Sequence, residues 1–585
     1  MQNNLSALYF LYEEKLIDRA HVSYAILVDA YSGENIFINL VEQGFIKYDN
    51  LLIGLAKYLR CKVFSPNELQ NYILSDQSDS SINLLEGYIL IKNINTLRQE
   101  LIISNLDIQF IQYIANAYPN LPFSLAGNNV LYAFVTKQSL PSHTFHSIDF
   151  LDFVHNNTAR AVHYKLIVLI SACINISAYV FLQNLFVCVH IIILGLHNFF
   201  KGLIILNAFK ENKYNAHLVQ YCINYPKYSV LIPLYKEKEV KSIINALSCI
   251  IYPKHKLQVN LLLEEGDRIT IEAIKKINLP YYINILFIAK GYVKTKPKAL
   301  NFAMPYVIGD YLVVYDAEDV PDPMQLIIAH NALKALPMNY IGVQAKLKFY
   351  NSGYNLLTSF MAIEYAILFR LILVGMFRMK ITFPLGGTSN HFKTHLLREI
   401  GCWDAFNVTE DAELGIRISM YGYKMGIIDS YTEEEAPVEV KTWVKQRSRW
   451  IKGYWQTFFT FCKVQQKYKL KDILSVYLYI GFGTYAFLFQ PFLIIMLFFN
   501  KTYYLKNLFF IGYLSLLAFV LPTAIYGACK VFYKKISIYK ILFISILYPF
   551  YFFLHSLASL IAVYELCTLP FFWHKTTHTL DQTRK

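Results

Sequence analysis

The chain has 585 residues, too many for one hydrophobic core, and its length predicts roughly three or four domains. Apolar residues make up 55% and charged residues 16%, with 46 Tyr and 43 Phe, which excludes an ordinary soluble enzyme and puts part of the chain in lipid. The formal net charge of +14 is scattered over short runs, with no basic stripe interleaved with aromatic residues, so nucleic acid is excluded as a partner and loops facing anionic lipid are favoured.

Residues 1–160 read as a separate small α/β unit. Two stretches in it, "LYEEKLIDRAHVSYAI" (11–26) and "LVEQGFIKYDNLLIGL" (40–55), share acidic positions, apolar pairs and helical spacing at an offset of 29 residues. Two packed copies of a helix, turn and helix are expected. A Pro-punctuated stretch, "NAYPNLPFSLAGNNVLYAFVTKQSLPS", then predicts strands and turns. The acidic Glu13, Glu14 and Asp18, with no apolar core before a small-residue cleavage site, predict no removable signal peptide.

From Leu166 to Phe200 there is no Asp, Glu, Lys or Arg, which predicts a membrane hairpin over 165–209 with Lys165 and Lys210 on the cytoplasmic side. Residues 215–440 read as a cytoplasmic domain. Its segments "YSVLIPL", "LQVNLLLEEGD", "INILFIAK" and "GDYLVVYDAEDVPDP" are apolar strands alternating with helical stretches, the pattern of a mostly parallel sheet covered on both faces. Ligands bind beyond the carboxyl ends of such strands. Glu237, Glu264, Glu265, Asp316, Glu318 and Asp319 cluster there. Asp316 and Glu318 suit Mg²⁺ or Mn²⁺ carrying a diphosphate, against the plainer alternative of a solvated acidic turn.

In "VTEDAELGIRI" (408–418), Thr409 is the expected N-cap of a helix with acids in its first turn. Glu410 and Asp411 also follow the glycine-rich "PLGGTSNHF", whose backbone can approach a ligand closely. A carboxylate there could take a proton from an acceptor hydroxyl. In the 441–470 segment "VKQRSRWIKGYWQ", Gln446, Arg449 and Trp450 share one helical face. Taken alone, that segment also reads as a surface helix turning Lys445, Arg447 and Lys452 to lipid phosphates. Apolar spans near 473–499, 507–528 and 541–567 follow, and the lysine-rich "KVFYKKISIYK" loop is expected in the cytoplasm. Three such spans leave the 568–585 tail outside, although it is itself basic. Nine scattered cysteines without a CxxC pair predict neither disulfide framework nor zinc site.

The ordered motifs "PLYKE", "LLLEEGD", "KPKALN", "DAED", "TEDAE" and "QRSRW", followed by apolar spans, resemble the processive membrane glycosyltransferases of family 2, the group of bacterial cellulose and hyaluronan synthases. The resemblance implies a nucleotide-sugar-binding α/β domain of GT-A type flanked by transmembrane helices in the bacterial inner membrane. It implies that Glu264 or Glu265 contacts the nucleotide base or ribose, Lys298 the nucleotide or its phosphates, and Asp316 and Glu318 the Mg²⁺ or Mn²⁺. Asp411, beside Glu410, is the implied general base. Trp450 would stack on the acceptor sugar while Arg449 and Gln446 steady the diphosphate. The implied partners are a nucleotide sugar, with a UDP-sugar favoured, a glycan acceptor and membrane lipid. Glu-Glu stands where many relatives have Asp-Asp, and DAE where they have DAD, each lengthening the arm by one methylene. A single-transfer enzyme on a lipid-linked acceptor and a catalytically silent envelope receptor or scaffold are the alternatives.

Residues 1–160 resemble, more loosely, the N-terminal domain of type II secretion and pilus assembly ATPases, some of which bind cyclic di-GMP through paired Arg-Leu-Gly and Gln motifs. Here "EQGFI" survives, but Asn35, Phe37 and Tyr58 stand at matching positions and Lys15 replaces Gly. The resemblance therefore implies a regulatory or docking module toward a secretion or envelope partner, with the cyclic di-GMP motif degenerate.

Overall fold

The computed structural model describes residues 2–32, 35–75, 80–138, 158–181, 183–210, 225–289, 295–489 and 520–572. The internal repeat is visible in the backbone. Helices Gln2–Glu13 and Arg19–Ser32 form one pair, and Ile36–Glu42 and Tyr48–Leu59 the other. Each pair reverses at a residue of positive φ, 56° at Lys15 and 74° at Gly44. Glycine adopts that conformation freely, whereas in the first copy a lysine bears it. Leu8, Leu11, Leu40, Leu51 and Leu55 fill the core between the copies. A four-stranded sheet follows, in the order β1 (Tyr72–Leu74), β2 (Tyr88–Asn93), β3 (Gln99–Ile103), β4 (Phe123–Leu125).

The Pro-punctuated stretch gives one strand, β4, and then a helix, Asn128–Gln138, where strands and turns were expected. Pro119 and Pro122 precede Asn128 and Pro141 follows Gln138, so no proline falls within the helix, and Leu131, Tyr132, Val135 and Thr136 are buried at helical spacing. This helix docks the N-terminal unit on the edge of the second sheet. Its Tyr132 and Val135 share a core with Leu286 and Ile288. Thr136 Oγ1 accepts the Phe287 N–H at 3.1 Å, and the Tyr132 hydroxyl accepts from Gln258 Nε2 at 3.2 Å. A second contact comes from Glu42 in the "VEQGF" turn, whose carboxylate accepts the Tyr281 hydroxyl at 2.7 Å and the His255 N–H.

The second sheet has eight strands: β5 (Tyr228–Leu234), β6 (Leu257–Glu264), β7 (Ile283–Ile288), β8 (Tyr311–Val314), β9 (Val320–Pro321), β10 (Tyr340–Phe349), β11 (Asn390–Lys393) and β12 (Lys424–Glu434). Their order is β7-β6-β5-β8-β11-β10-β12-β9. β7, β6, β5 and β8 are parallel neighbours. β11 runs antiparallel between β8 and β10, so the sheet is mixed. Every residue of β6 is buried, as its unbroken apolar run requires.

Among the described residues, four helices are long and apolar enough to cross a membrane: Leu185–Asn207, Leu356–Met379, Leu470–Phe489 and Ile538–Thr568; Tyr164–Tyr179 and Val520–Phe532 are shorter apolar helices. The Leu356–Met379 helix was not expected, because it lies inside the 215–440 domain. β10 precedes it, β11 follows it, and 72% of its most apolar window is buried in the protein. Hydropathy reads a core helix and a membrane helix alike. An added Cβ on its Gly375 would lie 2.0 Å from the Ile204 carbonyl oxygen, so it meets the Leu185–Asn207 helix at backbone contact. The far part of the 473–499 span, the start of the 507–528 span and most of the C-terminal tail lie outside the described residues.

Candidate active site

The carboxyl ends of β5, β6, β8 and β12 open into one cavity. Glu237, Glu264, Asp316, Glu318 and Glu434 line it, together with Glu410 and Asp411 and with Gln446, Arg449 and Trp450. Groups far apart in sequence thus face one space, as an open parallel sheet places them.

The "DAED" turn is closed from within. The Asp319 carboxylate accepts the Asp316 N–H at 2.7 Å and the Thr388 hydroxyl of the glycine-rich loop. That leaves Asp316 and Glu318, not the buried Asp319, lining the cavity. Glu410 and Asp411 open the Glu410–Arg417 helix, and Gly387 lies against Asp411, its added Cβ 3.9 Å from Oδ2. Thr409 occupies the N-cap position, but its hydroxyl makes no cap bond; it and its N–H both point to Asn407 Oδ1.

Lys296, rather than Lys298, faces the acids. Its ammonium is 2.7 Å from Asp316 Oδ1 and 4.0 Å from Glu410 Oε1, and it donates to the Gly387 carbonyl. Burial works against its charge, yet Asp316, Asp411 and Glu410 together hold it above the ordinary lysine range. Lys298 is fully buried behind the cavity, bonded to Glu264 and to the Ala289 carbonyl. Both lysines lie on the Lys296–Ala303 helix, where positions two apart point about 200° from each other. The sequence signal was present in "KTKPKALN": with Pro297 in the helix's first turn, only one lysine can face the cavity. Glu265 is exposed and lies outside the cavity lining.

The Val440–Val464 helix carries "QRSRW" and is stitched to the segment before Asp411. Asn407 Nδ2 donates to Thr457 Oγ1 at 3.0 Å, Gln456 Oε1 accepts the Val408 N–H at 3.1 Å, and Arg449 Nη1 reaches the Val408 carbonyl at 3.4 Å. Gly453 stands at the crossing point; a Cβ there would fall 2.2 Å from Thr409 Oγ1. Arg449, Gly453, Gln456 and Thr457 therefore form one stripe, a spacing legible in the sequence but not used. The surface-helix alternative fails for two of its three cations. Arg447 is buried against Glu364 at 2.6 Å, and Lys452 against Glu565 at 2.9 Å. The Arg447 guanidinium lies 4.1 Å from the Trp450 ring centroid, and the Tyr365 ring lies 6.4 Å from it, centroid to centroid, at 28°. Gln446 Oε1 is a buried acceptor without a hydrogen-bond partner among the described residues.

The cavity has two characters. One wall is acidic: burial first, and then the charge of Glu410, holds Asp411 well above the usual carboxylate range. Burial and neighbouring acids likewise raise Asp316 and Glu434, with Lys296 opposing. Carboxylates so placed accommodate a divalent cation, which lowers their mutual repulsion. Among the described residues no three His, Cys, Asp or Glu side chains are gathered to hold a metal by themselves. The other wall, formed by Tyr365, Leu368, Phe369 and Leu373 of the apolar Leu356–Met379 helix with Trp450 and Tyr454, is apolar and aromatic.

Residues 311–573 match the family model described as Glycosyl transferase family group 2. A probable glycosyltransferase of Bacillus subtilis, YdaM, is 26% identical over 306 residues, 51% of this chain and 71% of that protein. Glucomannan 4-beta-mannosyltransferase 7 of Arabidopsis thaliana is 27% identical over 249 residues, and this chain covers 43% of its length. Among solved structures, the mannosyltransferase PcManGT from Pyrobaculum calidifontis, in complex with GDP-Man and Mn²⁺, matches with TM-score 0.43 and 17% identity over 66% of this chain and 99% of that one.

Proposed function

We propose that the protein is a membrane-embedded, inverting glycosyltransferase that moves a sugar from a nucleotide sugar onto a growing polysaccharide, with its catalytic domain on the cytoplasmic face of a bacterial inner membrane. The observation that carries this reading is the single cavity shared by Asp411, Asp316 and the Gln446, Arg449, Trp450 face.

In this reading the donor lies along the ends of β5, β6 and β8, with Glu264 toward the base or ribose and Lys298 fixing that carboxylate from behind. The Asp411 carboxylate removes the proton from an acceptor hydroxyl. The freed oxygen attacks the anomeric carbon from the face opposite the diphosphate; the new C–O bond forms as the bond to the diphosphate breaks, and the nucleoside diphosphate leaves with the electron pair. A carboxyl whose affinity for protons is raised by burial is suited to that work. Lys296 and Arg449 stand where the leaving charge develops, and Arg449 can present a planar fork to it. When bound, Mg²⁺ or Mn²⁺ held by Asp316 and Glu318 would supply further charge to the diphosphate. Trp450, held by contacts with Arg447 and Tyr365, lines the cavity and would stack on the acceptor sugar there.

One observation favours a second acceptor class. The aliphatic Leu368 and Leu373 on the cavity wall suit a lipid-linked acceptor as well as a sugar chain. Residues 1–160 serve as a docking or regulatory module toward an envelope partner. The test is a panel of UDP- and GDP-sugars with the purified full chain, with and without Mg²⁺ or Mn²⁺, and with product sizing. Polymer from one donor supports the main reading, a single added sugar on a lipid supports the second, and no turnover of any donor overturns both.

A further inference from the structure

At the end of the sheet away from the acidic cavity lies a second, smaller cavity, and its lining is cationic. Lys424 opens β12, whose far end, Glu434, reaches the acidic site. Around Lys424 the lining includes Lys380, Lys469 and Lys471. These four come from three separate parts of the chain. Lys380 ends the Leu356–Met379 helix in a left-handed conformation, φ 56°, and Lys469 and Lys471 bracket the first residue of the Leu470–Phe489 helix. Lys380, Lys469 and Lys471 are exposed and Lys424 is half-buried.

The folded chain brings these four charges together with a single acid among them, Asp472, whose carboxylate attracts Lys471, Lys469 and Lys424. Asp472 is the one acid of the lining, and its carboxylate is engaged by the Thr382 N–H at 2.8 Å. Among the described residues, none of the four lysines takes part in an ion pair. Instead the Lys471 ammonium donates to the Lys380 carbonyl, which draws two of the cationic segments together. Burial first, and then the charges of Lys471, Lys380 and Lys469, hold Lys424 below its ordinary range. A concave site with four cations and one occupied acid is matched by an anion with several oxygens.

The place of the cavity in the molecule narrows the source. The Leu470–Phe489 helix begins at it, and this helix is long and apolar enough to cross a bilayer. The Leu185–Asn207 helix ends nearby, where the Ala208 carbonyl accepts from Arg378, two residues before Lys380. A cavity at the root of membrane-crossing helices lies at the depth of lipid phosphates.

We propose that Lys380, Lys424, Lys469 and Lys471 form a binding site for a phosphate group, and that the headgroup of an anionic phospholipid supplies it. Occupancy ties the base of the catalytic sheet to the membrane helices, on the side away from the chemistry. Such a site would serve whichever sugar is transferred.

The experiment uses the full chain in a non-ionic detergent and follows thermal unfolding as short-chain phosphatidylglycerol, short-chain phosphatidylcholine or inorganic phosphate is added. Phosphatidylglycerol is expected to raise the midpoint saturably and phosphatidylcholine is not, with the effect shrinking as the Debye length falls in salt. In Lys380→Gln/Lys471→Gln the half-saturating concentration should rise about 25-fold, about five-fold per lysine. Its unliganded midpoint and donor turnover should stay near those of the unaltered chain, and Lys380→Arg/Lys471→Arg should keep the response. Inorganic phosphate acting alone at concentrations comparable to the lipid supports the site but overturns the lipid as its source. An unchanged phosphatidylglycerol curve in the Gln pair, or an equal response to phosphatidylcholine, overturns the site itself.

Discussion

Gly453→Ala adds one methyl group at the point where the "QRSRW" helix crosses the segment leading to Asp411. The new Cβ would lie 2.2 Å from Thr409 Oγ1, 2.5 Å from Cγ2 and 2.7 Å from Cβ, where ordinary contact begins at 3.4 Å. The two segments must part by about 1 Å to restore that contact. Thr409 cannot swing clear, because its hydroxyl and N–H are both held by Asn407, which is itself bonded to Thr457 on the same helix. On an unobstructed helix, alanine would be about 1 kcal/mol better than glycine. Overpacking of this kind costs about 1–3 kcal/mol, so the net change runs from about zero to a loss of about 2 kcal/mol. The functional loss is larger, since displacing Arg449 and Trp450 from Asp411 by about 1 Å lowers turnover about 10²-fold. Thermal unfolding and donor turnover measured on the same preparation check both figures, and Thr409→Gly in the Gly453→Ala background should restore part of each. A Gly453→Ala protein that is more stable than the parent and turns over normally would refute the crossing-point argument.

Three further outcomes are expected. Asp411→Asn should reduce transfer by at least about 10²-fold with nucleotide affinity within a few fold, read by turnover and donor titration; retention of more than about a tenth of the rate removes Asp411 as base. Arg449→Lys should depress transfer and donor hydrolysis together, because an ammonium does not reproduce the guanidinium fork, whereas Trp450→Ala should shorten or abolish product while some hydrolysis persists; product sizing beside nucleoside diphosphate release separates them. Asp404, which accepts the Ala159 N–H at 2.7 Å and the Phe406 N–H at 2.9 Å, has its carboxyl pushed up to about 7, by burial and then by Glu413, from an ordinary 3.8. Between those values the folded chain holds a proton that the unfolded chain has released, so this contribution to stability is full below the unfolded value and is lost as pH rises through about 7. Asp404→Asn should flatten that slope in unfolding midpoints measured from about pH 5 to 8, and an unchanged slope would discard the assignment.

The amino-acid sequence by itself determined the four parallel strands β5 to β8, the order of the motifs and the existence of apolar spans, because continuous apolar runs and helical spacing are local properties that hydropathy and periodicity record directly. It also placed Glu237, Glu264, Glu265, Asp316, Glu318 and Asp319 beyond the strand ends, since a parallel sheet aligns those ends whatever loops intervene, and of these Glu237, Glu264, Asp316 and Glu318 line the cavity. Only the tertiary structure decided which lysine of "KPKALN" faces the acids, because the rotation of a helix is set by what it packs on. It alone decided that Arg447 and Lys452 turn inward to Glu364 and Glu565, partners more than 80 residues away in the chain. The same holds for the Leu356–Met379 helix. Its composition would suit lipid, but its two ends feed neighbouring strands, and the sheet holds it against the cavity as the apolar wall. Burial against protein and burial in lipid impose the same demand on a side chain, so the sequence carried the apolarity and the topology chose the partner.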